Sequence, residues 1–149
     1  MNLLGFDYPD ELYYWLERDM WARRLPDGLV QIGITAFGVR ISGNFFMCRP
    51  KPPETELAQG QTVAVVELNK SVVTVKTPVA GVVREVNPVL AERPETIEQD
   101  PYGAGWLVTL APTNWEADLA LLHHGAALPE AATRRMQLEN LDFSEGGAA

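Results

Sequence analysis

A chain of 149 residues with 46% hydrophobic content can bury one adequate core, so one compact domain is the expectation. Its 20 Asp and Glu against 12 Lys and Arg leave a net charge of −8, which argues against nucleic acid and anionic membrane surfaces, because phosphates must be met by clustered cations. A single cysteine excludes an internal disulfide framework and multi-cysteine metal sites. With no leader-like apolar segment at Met1 to Tyr8 and no long apolar run, a cytoplasmic protein is expected.

In chain order, residues 1–18 read as an N-terminal extension in which Pro9 to Leu16 forms a short amphipathic helix. Asp10 and Glu11 occupy its first turn, where carboxylates favour the positive end of the helix dipole. Met20 to Leu25 and Leu29 to Gly33 flank the turn signal Pro26-Asp27-Gly28 and predict a hairpin. Thr35 is placed to cap a helix running to about Ile41, and Asn44 to Arg49 reads as a strand. Pro50-Lys51-Pro52-Pro53-Glu54 cannot sustain a ladder and is read as a loop.

Thr62 to Lys76 is rich in β-branched residues broken once by Leu68-Asn69-Lys70-Ser71, the pattern of a hairpin with Lys70 at its tip. Gly81 to Val86 is predicted as a strand. Asn87 to Gly103 should be a long loop with one helical turn at Pro94 to Glu98, and Gly105 to Leu110 should close the sheet with the Trp106 ring facing the core. Pro129, with Glu130 and Arg134 spaced i,i+4, predicts a terminal helix to about Asn140, followed by a disordered tail at 144–149. The fold class is therefore mainly β with terminal helices, a small sandwich or flattened barrel. A central domain spans 19–122 and a helical extension 123–143.

A lysine at a hairpin tip presents an amine to solvent. On its own it reads as an ordinary turn residue. Cys48, in the apolar run Phe45 to Cys48, reads as a buried thiol; the competing reading is a thiol enzyme, which would need an accessible thiolate and a base. His123 and His124 are adjacent rather than i,i+4, so they do not make a zinc motif and are taken as a helix-end feature; no metal site is expected. Asp100-Pro101-Tyr102-Gly103-Ala104-Gly105 lacks the lysine of a phosphate loop and reads as a rigid turn.

Three ordered blocks lift Lys70 out of the ordinary. Glu67-Leu68-Asn69-Lys70, then Thr77-Pro78-Val79-Ala80-Gly81 running to Val86-Asn87, then Asp100-Pro101-Tyr102-Gly103-Ala104-Gly105-Trp106, together resemble the H protein of the glycine cleavage system, from about Asp19 to about Leu122. That resemblance implies a lipoyl-domain fold, a barrel-sandwich hybrid of two small antiparallel sheets, with lipoate amide-linked to Lys70. It implies a role for Glu67 in recognition near the attachment site, and a non-catalytic carrier in which the prosthetic group supplies the chemistry. Biotin carriers place methionine on both sides of the lysine, where Asn69 and Ser71 stand here.

The segment Arg49 to Pro53, basic and proline-bearing, together with Leu12-Tyr13-Tyr14, is similar to a divergent branch of the family. These are the lipoate-binding proteins of heterodisulfide-reductase-like sulfur oxidation, and that branch is placed modestly ahead of glycine cleavage proper, where the cargo would be an aminomethyl group. The partners so implied are a lipoate-attaching enzyme and either the heterodisulfide-reductase-like complex or glycine decarboxylase, aminomethyltransferase and dihydrolipoamide dehydrogenase. A monomer is expected.

Overall fold

The computed structural model describes the backbone of residues 1–148 and side chains through Glu139. Its principal sheet has six antiparallel strands in the order β3-β4-β5-β11-β10-β7. These are β3 (Tyr13–Trp15), β4 (Met20–Arg24), β5 (Val30–Ile34), β7 (Glu56–Leu57), β10 (Gly81–Val86) and β11 (Val108–Pro112). A second sheet of three strands, β6 (Met47–Pro50), β8 (Thr62–Glu67) and β9 (Val72–Lys76), has β8 in the middle. A two-stranded hairpin, β1 (Asn2–Leu3) and β2 (Phe6–Asp7), precedes them. The helices are α1 (Ala36–Ser42), α2 (Thr96–Gln99), α3 (Trp115–Asp118) and α4 (Leu128–Ala148).

Strand alternation divides the interior in two. Met20 and Ala22 turn toward a core shared by both sheets, where Ile32, Val83 and Leu110 meet Cys48, Val66 and Val75. Trp21, between them, turns the other way into a second cluster formed with Tyr8, Leu12, Tyr14, Phe37, Leu128 and Met136. The N-terminal segment and α4 therefore cover the β3–β4 end of the large sheet. The fold is mainly β, built on two antiparallel sheets with terminal helices, as the resemblance implies.

Several local expectations change. Residues 13–15 form a strand, not the end of a helix, because Tyr13, Tyr14 and Trp15 pair with Ala22, Trp21 and Met20, and Tyr14 also exchanges backbone bonds of 2.9 and 2.8 Å with His123. Aromatic residues suit a pleated surface, and this pairing overrides the amphipathic pattern. The same bridge makes His123 a strand-like contact rather than a helix end. The closing strand starts at Val108, so Trp106 precedes it and is half-buried against the second cluster instead of facing the main core. The helix predicted from Thr35 is present, with Thr35 Oγ1 accepting from Gly38 N at 3.1 Å. α4 carries the expected Glu130–Arg134 pair at 3.1 Å and continues to Ala148, since no proline after Pro129 interrupts its ladder. Of the tail expected at 144–149, Ala149 lies outside the described residues.

Candidate carrier site at the hairpin tip

β8 and β9 pair in register from Glu67 opposite Val72 down to Ala64 opposite Val75, with one irregularity between Thr62 and Ala64. Leu68 N donates to Ser71 O at 2.8 Å, which leaves Asn69 and Lys70 as the turn. Neither has positive φ, so the primed turns whose twist suits two-residue hairpins are not used, and the strands beneath hold the tip in place. Lys70 is exposed and, among the described residues, makes no ion pair or side-chain hydrogen bond. Glu67 is exposed on the strand below, opposite Met47 and Val72, and forms no ion pair with Lys70.

β9 is the outer strand of its sheet, and a cleft of about 240 Å³ opens beside it. Met20, Ile34, Phe45, Val66 and Val75 give the cleft an apolar lining, and Glu17, Arg18, Asp19 and Lys76 contribute its polar groups. Lys76 Nζ is turned to Thr62 Oγ1 at 2.9 Å. An exposed amine at a two-residue turn fits an amide-linked arm, because the nitrogen is accessible for acylation; the partly apolar recess begins at Leu68, two residues before it.

Asp19 and its partner were not visible in the sequence, where 116 positions separate them. Asp19 adopts left-handed backbone geometry (φ 55°) after the 3-10 turn Leu16–Arg18, and its carboxylate meets Arg135 of α4 at 2.8 Å. Arg135 also donates to Leu16 O at 3.0 Å and to Glu139 at 3.2 Å, so one side chain fastens the terminal helix to the wall of the cleft. Among the described residues, Asp19 Oδ1 is buried without a hydrogen-bond partner. Burial pushes the Asp19 carboxyl up to about 6 against the lowering pull of Arg135.

That shift fixes the sign of a pH effect. An acid with a raised folded value holds its proton more tightly when folded. Its contribution to stability is therefore fully present below about pH 4 and lost as pH rises to about 6. Asp19→Asn keeps the left-handed backbone tolerable and removes the titration. The stability of the parent relative to this variant is expected to fall by up to about 3 kcal/mol between pH 4 and pH 7, read from paired thermal melts. A difference that stays flat or grows over that range would contradict the assignment.

The Asp100 to Trp106 block acts as a clip. Pro101 O accepts from Trp21 Nε1 at 3.0 Å and Tyr102 O accepts from Arg23 at 2.9 Å. The Tyr102 hydroxyl donates to Asp7 O at 2.6 Å and accepts from Ala36 N at 3.0 Å. Asn87 Nδ2 donates to Ala104 O and Trp106 O at 2.7 and 2.8 Å. A Cβ on Gly105 would stand 2.7 Å from Asp100 O and 2.8 Å from Ile97 Cα, so only glycine fits. Cys48 faces the core at 5% exposure and burial pushes its thiol up to about 12, which leaves no thiolate for nucleophilic chemistry. Among the described residues no group of three or more His, Cys, Asp or Glu is arranged to hold a metal ion, and no helix is long and apolar enough to cross a membrane.

A six-stranded and a three-stranded antiparallel sheet, the smaller holding a lysine at the tip of its β8–β9 hairpin, fit the carrier class, in which a protein displays a prosthetic group. The family model described as Glycine cleavage H-protein matches residues 12–133. Glycine cleavage system H protein 2 of Aquifex aeolicus is 34% identical over 141 residues, covering 95% of this chain and 88% of that protein. Glycine cleavage system H protein 3 of the same organism is 39% identical over 120 residues, covering 78% and 74%. The crystal structure of a glycine cleavage system H protein from Mycobacterium marinum matches with a TM-score of 0.66 and 32% identity, covering 71% of this chain and 87% of that one. The chain belongs to the glycine cleavage H-protein family, whose members are carriers of covalently bound lipoate. The names of these relatives favour glycine cleavage over the sulfur-oxidation branch that the proline-bearing segment places ahead.

Proposed function

We propose that this chain is a cytoplasmic, non-catalytic lipoyl carrier with lipoate in amide linkage to Lys70, and that it serves glycine cleavage by moving glycine-derived cargo between partner enzymes. Glycine decarboxylase, aminomethyltransferase and dihydrolipoamide dehydrogenase would be those partners, with a lipoate-attaching enzyme acting first. The observation that carries the reading is the exposed Lys70, in no ion pair among the described residues, at a two-residue turn closed by Leu68 and Ser71. When bound, lipoate supplies a dithiolane that can take up and release cargo at sulfur. The chain fixes the root of the arm, so that the cargo's effective concentration at a partner's active site is set by arm length rather than by diffusion. Glu67, on the strand leading to the tip, belongs to the surface that the attaching enzyme reads.

The test is exchange of labelled bicarbonate into glycine by glycine decarboxylase, with the lipoylated protein as the only carrier. Exchange that saturates with carrier is the expected result. No exchange, together with turnover by a heterodisulfide-reductase-like complex, would move the protein to the sulfur-oxidation branch.

A further inference from the structure

One face of the molecule opposes the charge of the whole. No Asp or Glu occurs from Gly28 through Pro53, although the chain contains 20 of them, and this stretch supplies β6, which pairs with the hairpin strand β8. Register spreads its residues across the outer side of the three-stranded sheet. Met47 lies opposite Glu67, which lies opposite Val72; Arg49 lies opposite Val65, which lies opposite Thr74. Cys48 and Val66, in the row between, turn inward. Phe46, whose N–H donates to Glu67 O at 2.8 Å, is 56% exposed and Val72 is 66% exposed.

Around these apolar groups Arg49 and Lys51 are exposed and, among the described residues, in no ion pair. Glu67 is the single acid on these rows. Arg40, grouped with these cations in the sequence, sits on α1 beside Phe6 and Met136 and is not part of the face.

We propose that this face is the docking surface for proteins that reach Lys70, and that it fits a partner presenting carboxylates around an apolar recess. An exposed Phe and an exposed Val on either side of β8, with two cations that are in no ion pair among the described residues, have the composition of an interface centre rather than of idle surface. A second copy of the chain is a poor occupant, because it would set Arg49 and Lys51 against their own kind with only Glu67 to answer them. The proposal rests on the reading of Lys70 as the attachment point.

The lipoate-attaching enzyme is the deciding probe, since it must reach Lys70 whichever pathway the carrier serves. Arg49→Glu combined with Lys51→Glu, and separately Phe46→Ser, should keep the parent's melting temperature, because these side chains are exposed. Each should raise the apparent KM for the carrier about tenfold or more with kcat near the parent's, and the parent's own KM should rise with salt. Arg134→Glu, on α4 and away from the face, should leave the KM unchanged. An unchanged KM in the face variants overturns the proposal. So does a parent dimer that Phe46→Ser dissolves, which would make a second copy the occupant. Glycine decarboxylase is assayed in parallel: failure of the lipoylated parent there counts against the glycine-cleavage reading alone, because the face is tested by the attaching enzyme.

Discussion

Lys70→Arg is expected to fold with the parent's melting temperature and to carry no cargo. The side chain is exposed at the turn and holds no ion pair among the described residues, so its replacement disturbs no contact that the fold depends on. Guanidinium keeps the charge, yet it stays protonated at any accessible pH and is a poor nucleophile, so the amide that would hold lipoate cannot form. The predicted effect is complete loss of glycine-dependent exchange, not a fractional one, measured beside circular dichroism melts of both proteins. Residual carrier activity in the variant would place the attachment point elsewhere.

Trp21→Ala is expected to destabilise the fold strongly. The ring is fully buried, its Nε1 donates to Pro101 O at 3.0 Å, and Arg23 lies 4.9 Å over its face. It packs so closely on β5 that a Cβ on Gly33 would come within 2.5 Å of it. Truncating a buried aromatic of this kind costs roughly 3–5 kcal/mol, and the orphaned Pro101 carbonyl adds to that. For a chain of this size the melting temperature should drop by on the order of 10 °C or more. Trp106→Ala, at a half-buried ring, should cost clearly less. Lipoylation of Trp21→Ala should decline only as the protein unfolds; a variant that melts like the parent would show that the clip does not depend on this ring.

The hairpin is legible in the sequence because its signal is local: β-branched runs of suitable length interrupted once by polar turn residues give strand, turn and strand without reference to the rest of the chain. Gly81 to Val86, the Thr35 cap and the Glu130–Arg134 pair are legible for the same reason. Tyr13 to Trp15 reads wrongly as helix because its state is set by pairing with β4 and by the bridge to His123, more than 100 residues away. Trp106 is expected inside the closing strand, but the tight turn from Asp100 runs on through Trp106, held by Asn87, before the ladder begins at Val108. For the candidate site, Lys70 and Glu67 can be proposed from the motif. Asp19 and Arg135, and the way Arg49 comes to lie beside the hairpin, are products of tertiary packing and strand register that no local pattern encodes.

Attachment at Lys70 can be tested directly, because the chain contains only three lysines, Lys51, Lys70 and Lys76. Peptide mass spectrometry after incubation with a lipoate-attaching enzyme should find the lipoyl adduct on Lys70 alone. Lys76 should stay unmodified, since its amine is turned to Thr62. An unmodified Lys70, or an adduct on Lys51 or Lys76, would contradict the account.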